Sequence, residues 1–217
     1  MIYQNACKML LVATSVLITS SSSAQTTAAT PVSGHYMPWK PIKEKEIVSK
    51  TRLWEDISLS DGHNALFALA NSRNPLLKTL VDCIIDGKIT AYPSADGRFT
   101  HAFTTDEFLQ DFRNRQLPGS RVTKFAIKED SLYINTGEAT VRIVGLAPII
   151  ATTLPDGTVK EEPMFWVYYP DCRPFLAERK VDGDITWDDI FEEQNFTAQV
   201  TRSSRSFSQN NVPGNVR

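Results

Sequence analysis

The stretch Phe165-Trp166-Val167-Tyr168-Tyr169-Pro170-Asp171-Cys172-Arg173-Pro174 joins an aromatic run to a short polar segment that lies between two prolines. Aromatic and β-branched residues favour a β-strand. Pro170 has no backbone N–H to donate to a neighbouring strand, so the strand is expected to end there. The sequence therefore predicts a buried strand that passes directly into a rigid turn held by Pro170 and Pro174.

The residues before this strand predict more β-structure. Several segments combine alternating apolar and polar residues with β-branched side chains, and turn signals separate them. Short connections favour antiparallel pairing, because parallel pairing needs a long crossover. We therefore expect an α+β fold in which a small antiparallel sheet of three or four strands packs against helices on one face. The expected strands are 122–130 with its continuation 132–134, then 140–146 and 165–169.

Helix signals flank this β-rich region. Asn74-Pro75 is typical of a helix start, and an apolar stripe follows it as far as Gly87. Glycine at that position favours the left-handed conformation that is common after a helix. Two further helices are expected where a threonine is followed three residues later by an acidic residue, which is the spacing of a capping box. These pairs are Thr104 with Glu107 and Thr186 with Asp189.

The N-terminus has the features of an export signal. Lys8 precedes the apolar run 9–18, and small residues lead to Ala24, after which we expect cleavage. The apolar run is shorter than the roughly 20 residues that a membrane-spanning helix needs. Residues 1–24 are therefore interpreted as a signal peptide, and the mature chain is expected to be exported.

The mature chain is expected to contain three segments. Residues 25–50 lack a sustained apolar period and predict an extended arm, residues 51–202 predict a folded domain, and residues 203–217 are rich in Ser, Asn and Arg and predict a disordered tail. Tyr36 and Trp39 in the arm can dock onto a neighbouring subunit or fold back onto their own domain. The sequence leaves both alternatives open.

Charge and cysteine content narrow the function. The chain has 23 basic and 25 acidic residues, and this near-neutral balance argues against nucleic acid as a partner. Cys83 and Cys172 remain after signal cleavage, and either a disulfide or two buried thiols is compatible with the sequence. Their separation along the chain does not fit a structural zinc site.

Catalytic motifs are missing from the sequence. It contains no phosphate loop, dinucleotide fingerprint, His-Glu-x-x-His motif or nucleophile elbow. Cys172 as the nucleophile of a thiol hydrolase is a weaker alternative, because the flanking prolines indicate a structural turn. The carboxylate pairs Glu161-Glu162 and Asp188-Asp189 are interpreted as solvated charges. The histidines, His35, His63 and His101, are scattered, so we expect neither an enzyme nor a cofactor.

Several ordered blocks together resemble the GldN/PorN family of the type IX secretion and gliding-motility machinery. The resemblance spans roughly residues 50–205, so we describe 51–202 as a GldN-like domain. It departs from the family pattern in a compressed stretch from Leu59 to Asn74 and in a chain end soon after Phe207. The matching blocks are 53–57, 80–92, 125–130, 141–148, 165–177 and 186–191.

The resemblance implies a non-catalytic structural subunit in the periplasm, associated with the inner face of the outer membrane. It implies a ring complex with a GldK/PorK-like outer-membrane lipoprotein, contact with a GldM/PorM-like periplasmic protein, and self-association within the ring. Large aromatic residues often anchor such interfaces, and we consider Tyr36, Trp39 and Trp54 the candidates. Phe165, Trp166 and Trp187 are expected in the core. The main alternative is a diverged short paralogue that acts as a monomeric periplasmic binding module.

Overall fold

The computed structural model describes residues 36–68, 76–95, 97–115 and 121–207. The expected signal peptide and the first part of the arm lie outside these residues. Within them the chain alternates short helices and strands, with 3₁₀ turns at Glu44–Glu46 and Gly62–Asn64. The helices are α1 (Ala65–Ala68), α2 (Leu76–Ile85), α3 (Thr105–Arg115), α4 (Tyr169–Leu176) and α5 (Trp187–Glu192). The strands are β1 (Ile47–Ser58), β2 (Ala91–Pro93), β3 (Arg121–Ile134), β4 (Ala139–Thr153), β5 (Val159–Pro163), β6 (Phe165–Tyr168), β7 (Lys180–Asp182), β8 (Ile185–Thr186) and β9 (Gln199–Phe207).

Seven of the strands form one antiparallel sheet in the order β2-β6-β4-β3-β1-β9, and β5 pairs with the end of β4 beside β6. The long hairpin of β3 and β4 is the centre of the sheet, with Ile127 opposite Leu146. On its far side β1 pairs with β3, and Ile57 lies opposite Phe125. Strands β7 and β8 form a separate small hairpin. The predicted α+β class with an antiparallel sheet is confirmed.

The sheet is larger than the three or four strands expected. The added strands are mainly β1 and β9, which extend one side of the sheet. Most residues of β1 are half-buried and all of β9 is exposed, so neither strand shows the buried alternation that makes a strand visible in a sequence. The pairing of these strands depends on β3, which is distant along the chain.

The helices contribute to a single core on one face of the sheet. Buried residues of every helix and of strands β1, β3, β4 and β6 belong to the same apolar cluster. The capping boxes predicted at α3 and α5 are present, with Thr104 bonded to Glu107 and Thr186 bonded to Asp189. Gly87 follows α2 with a φ of 68°. Phe165, Trp166 and Trp187 are buried, as expected.

A smaller cluster covers the opposite face of the sheet. Ala126, Ala147, Ile149 and Trp166 pack there against the partly buried rings of Tyr92 and Phe99. Lys128 is only 1 % exposed in this region, and its Nζ lies 3.5 Å from the centre of the Trp166 ring and donates to the Gly97 carbonyl at 2.8 Å. A buried ammonium group needs such compensation because it has lost its hydration shell.

Three boundaries differ from the sequence-based expectation. The last residues of the expected arm begin β1, and Ser203 to Phe207 of the expected disordered tail belong to β9. In both cases pairing with a distant strand orders a segment of weak local preference. The segment between Pro170 and Pro174 is helical, because Pro170 lies in the first turn of α4, where its missing N–H would have no helical partner.

Candidate functional site

Helix α4 carries a charged side chain, that of Arg173, on its buried face. Four residues of the helix are buried, and their spacing places them on the face toward the core. Three of them, Tyr169, Cys172 and Leu176, are at most 1 % exposed. The fourth is Arg173, whose guanidinium group is thereby directed inward between α4 and α5.

Arg173 makes a buried ion pair with the first turn of α5. Its Nε lies 2.9 Å from Oδ1 of Asp188, and its Nη2 lies 3.1 Å from Oδ2. The same Nη2 lies 3.0 Å from Oε2 of Glu192. Tyr169 donates its hydroxyl to Asp188 Oδ1 at 3.0 Å. We call Arg173, Asp188, Glu192 and Tyr169 the Arg173 cluster; it fixes the position of α5 relative to α4.

The arm docks onto the Arg173 cluster. Trp39 donates its indole N–H to Glu192 Oε2 at 2.6 Å, and its ring lies 4.8 Å from the Arg173 guanidinium carbon. The Tyr36 ring lies 5.3 Å from the same carbon. Arg142 of β4 donates to the Lys40 carbonyl. Two of the predicted interface residues, Tyr36 and Trp39, are thus brought together on their own domain.

Burial and charge act in opposite directions on the pKa values of these groups. Burial would lower the pKa of Arg173, but the hydrogen bonds and charges of Asp188 and Glu192 more than offset it, so the pKa is raised. Burial raises the pKa of Glu192, and the bonds from Trp39 and Arg173 lower it only in part. Burial, with the neighbouring carboxylates, raises the pKa of Tyr169 well above its ordinary value. Arg173 therefore stays charged, as its contacts with the Trp39 and Tyr36 rings of the arm require. Tyr169 stays protonated, as its hydrogen bond to Asp188 requires.

Trp54 lies elsewhere, on the sheet face opposite the helices. It is part of β1, opposite Lys128 of β3 and Arg202 of β9. The Arg202 guanidinium carbon lies 4.4 Å from the centre of the Trp54 ring, and Thr201 donates its hydroxyl to the Trp54 carbonyl. Trp54 therefore helps to hold β9 on the sheet and does not belong to the arm's docking site.

The cysteines are free thiols in the structure. Cys83 of α2 and Cys172 of α4 are both buried. Burial raises the pKa of Cys172 well above its ordinary value, and the Sγ–H donates to the Tyr168 carbonyl. A thiol nucleophile needs a lowered pKa and access to substrate, and Cys172 has the opposite environment.

The expected solvated carboxylates divide into two groups. Glu161 is exposed and pairs with Lys124 at 2.6 Å. The expectation is wrong for Asp188, which is only 3 % exposed, because its carboxylate is bound by Arg173. His63 and His101 are exposed, and His35 lies outside the described residues. In the part of the chain that the structure describes, no cluster of His, Cys, Asp or Glu is suited to hold a metal ion.

The sequence blocks 165–177 and 186–191 carry most of the Arg173 cluster, but the sequence does not show that they meet. The signal in the sequence is a basic residue, Arg173, in the block 165–177, and two acidic residues, Asp188 within the block 186–191 and Glu192 directly after it. The buried Lys128 gave no such signal, since it occupies a polar position of an alternating strand.

A family model described as "Gliding motility associated protein GldN" matches residues 42–212. The chain belongs to the GldN family. The matched range includes α4, α5 and the whole sheet, so the Arg173 cluster and β9 both belong to the GldN domain. The resemblance expected from the sequence is thereby confirmed, and the chain is placed among gliding-motility-associated proteins. A search of curated proteins found no match. No helix in the described ranges is long and apolar enough to span a membrane.

Proposed function

We propose that this GldN-family chain is a non-catalytic structural subunit of a type IX secretion and gliding-motility machine. In this proposal it is located in the periplasm, at the inner face of the outer membrane, and forms a ring with a GldK/PorK-like lipoprotein. It also contacts a GldM/PorM-like periplasmic protein. The observation that carries the proposal is the family match over residues 42–212.

The Arg173 cluster supports a scaffolding role. Its buried charges are satisfied by one another, and its remaining exposed side is covered by Trp39 and Tyr36. A catalytic site would instead leave charged groups facing a cleft where a substrate can enter. The distribution of polar bonds thus favours a rigid body whose surface contacts other subunits.

The arm is the second support. Tyr36 and Trp39 hold residues 36–40 against α4 and α5, which sets the position from which the preceding residues leave the domain. We propose that Tyr36 and Trp39 contribute to subunit contacts through this fixed geometry, and that Trp54 contributes by holding β9 on the sheet.

The test is purification of a tagged copy from its native envelope, followed by sizing and identification of co-purifying proteins by mass spectrometry. A very large particle that contains a GldK-like lipoprotein is the expected result. Elution as a lone monomer, with the secretion machinery intact in other fractions, would contradict the proposal and favour a monomeric binding module.

A further inference from the structure

Strand β9 is an open edge of the sheet. It contains nine residues, and every one of them is exposed. It pairs with β1 on one side and with no strand in the described residues on the other. Its aromatic and aliphatic side chains are also uncovered, since Val200 is 52 % and Phe207 50 % exposed. A long strand held by a single ladder offers its free backbone groups to another chain.

Strand β2, at the other end of the strand order, has a protected edge and contrasts with β9. β2 has three residues and ends in Pro93, and a short strand with a proline is a common protection of a sheet edge. β9 contains no proline, lysine or acidic residue. The two arginines of β9 lie beside rings, with Arg202 against Trp54 and Arg205 against Phe207. The free backbone N–H and C=O groups of β9 therefore lack these common protections against pairing with another strand.

The ladder identifies the free backbone groups. Leu59 donates its N–H to the Thr123 carbonyl at 3.0 Å, so odd-numbered residues of β1 bond to β3 and even-numbered ones bond to β9. The β9 residues opposite those even positions are Arg202, Ser204 and Ser206. It follows that Ser203, Arg205 and Phe207 direct their N–H and C=O groups away from the sheet.

We propose that the free edge of β9 pairs with strand β5 of a second copy of this chain, so that the sheet continues from one subunit to the next. This inference rests on the proposed function, because it names the self-association surface of the ring. β5 lies on the opposite side of the sheet and, within the described residues, pairs only with β4. A contact between two different edges is heterologous, and a heterologous contact generates a ring when its rotation closes.

Charge favours β5 over a second β9. Two β9 strands would bring four arginines together without an acidic residue. β5 has one basic residue, Lys160, and two acidic ones, Glu161 and Glu162, so its balance is acidic. The side chains of Glu161 and Glu162 are 36 % and 37 % exposed, although each already has a basic neighbour. Opposite charges across paired strands stabilise a sheet, and like charges destabilise it.

Strand direction and side-chain faces make the proposal specific. Counting through the antiparallel ladders, β9 and β5 of one subunit run in the same direction. Neighbours in a ring of many copies differ by a small rotation, so the two strands would pair in parallel. Ser203 and Lys160 lie on the helix-covered face, opposite Leu53 and Thr152; Ser204 and Val159 lie on the other face.

Cysteine cross-linking in the native envelope tests this arrangement. Two differently tagged copies are co-expressed and oxidised, and mixed disulfides are identified by mass spectrometry. Glu161, opposite Ala151, lies on the same face as Val159. The pairs Ser203→Cys with Lys160→Cys and Ser204→Cys with Glu161→Cys match in face and share one parallel register, so both are expected to cross-link. The mismatched pair Ser203→Cys with Val159→Cys is the control and is expected to give little product. Cys83 and Cys172, the native cysteines in the described residues, are buried and do not compete.

A second variant tests the backbone directly. Ser203→Pro removes an outward N–H without removing a bond to β1, so the chain should retain its wild-type unfolding midpoint and lose the large particle. Ser203→Thr keeps the N–H and should assemble normally.

The outcomes separate the two proposals. A large wild-type particle without the face-matched cross-links, or with only disulfides between identical positions of β9, would overturn this inference and leave the proposed function standing. A wild-type chain that elutes as a monomer would overturn both.

Discussion

Arg173 binds Asp188 through two hydrogen bonds, and the two side chains are only 4 % and 5 % exposed. An ion pair this deeply buried stabilises little relative to a matched apolar pair, but the loss of one partner leaves an uncompensated charge in the core. We therefore expect the loss of one partner to destabilise the protein more than the replacement of both partners by apolar residues.

Arg173→Met should lower the free energy of unfolding by about 3–5 kcal/mol, because it leaves the buried Asp188 carboxylate without its cation. Asp188→Leu should cost less, because Arg173 keeps its ion pair with Glu192. The double variant Arg173→Met with Asp188→Leu should lose much less than the sum of the single effects. Urea unfolding followed by circular dichroism measures all three. Additive losses in the double variant would show that the two charges act independently.

Trp39→Ala should release the arm from α4 and α5 and cost about 0.5–3 kcal/mol, the usual range for a partly buried side chain. Cleavage by trypsin after Lys43 and Lys45 should become faster while the domain stays intact. Trp39→Phe keeps a ring beside Arg173 but loses the bond to Glu192, so its effect should be intermediate.

The same variant bears on assembly. Under the proposed function, Trp39→Ala weakens association of the ring without unfolding the domain. Sizing of the envelope particle alongside a thermal melt of the isolated chain separates the two effects. A cooperative collapse of the isolated Trp39→Ala chain would mean that the residue is needed for folding and would remove the argument for an interface.

Gly145→Ala should destabilise the packing of Phe99 and Lys128 on the sheet face opposite the helices. A Cβ at this position would lie 2.8 Å from Phe99 Cζ and 3.2 Å from Lys128 Cδ. The Phe99 ring is held between the rings of Tyr92 and Tyr168, whose centres lie 5.3 and 5.4 Å away, so it has little freedom to move. We expect a loss of about 1–3 kcal/mol, as for other overpacked sites. Gly62→Ala is the matched control, because a Cβ there meets nothing within 4 Å. Denaturant midpoints of the two variants give the comparison.

Glu129 should make the protein less stable as pH rises. Burial raises its pKa, and the charges of Glu55 and Asp130 raise it further. A carboxyl group with a raised pKa in the folded state holds its proton more tightly there than in the unfolded chain. Stability therefore falls as pH rises from the ordinary value of 4.5 through the raised folded value. Glu129→Gln should flatten this decline and still accept the hydrogen bond from Gln194.

Glu107 provides the opposite case for the same measurement. The backbone N–H and hydroxyl of Thr104 donate to its carboxylate and lower its pKa. Its contribution is present above the ordinary value and is lost as pH falls through the lowered one. Thermal melts from strongly acidic to neutral pH should thus show Glu107→Gln destabilised at neutral pH and Glu129→Gln stabilised. Parallel curves for both variants and the wild type would contradict the assignment.

The buried thiols should be unreactive in the folded protein. Iodoacetamide should label neither Cys83 nor Cys172 under native conditions and should label both in denaturant, as measured by intact mass. Reaction in denaturant only after a reductant has been added would reveal a disulfide instead. Labelling of the native chain at Cys172 would revive the thiol-hydrolase alternative.

Local sequence was sufficient for elements whose signals are adjacent along the chain. The capping boxes at Thr104 and Thr186 and the left-handed Gly87 each depend on a few neighbouring residues. The core positions of Phe165 and Trp187 followed from their size and apolar surroundings. These features need no knowledge of distant contacts, because backbone conformation and apolar spacing determine them.

Prediction failed where the deciding energy comes from a distant segment. The prolines at 170 and 174 suggested a turn, yet α4 forms because its buried face packs on the core and Pro170 is tolerated in the first turn. The serine-rich residues of β9 suggested disorder, yet their backbone pairs with β1. Tertiary packing overrides local preference in both cases.

The sequence by itself determined the α+β class, the antiparallel pairing, the capped helices and the membership of the GldN family, because short-range spacing and ordered motif blocks encode them. Only the tertiary structure decided that Arg173 meets Asp188, that Trp39 rests on their cluster, and that β9 forms an open edge. Each of these depends on residues far apart along the chain. Which charges meet, and which strand remains unpaired, is settled when the helices and strands pack together.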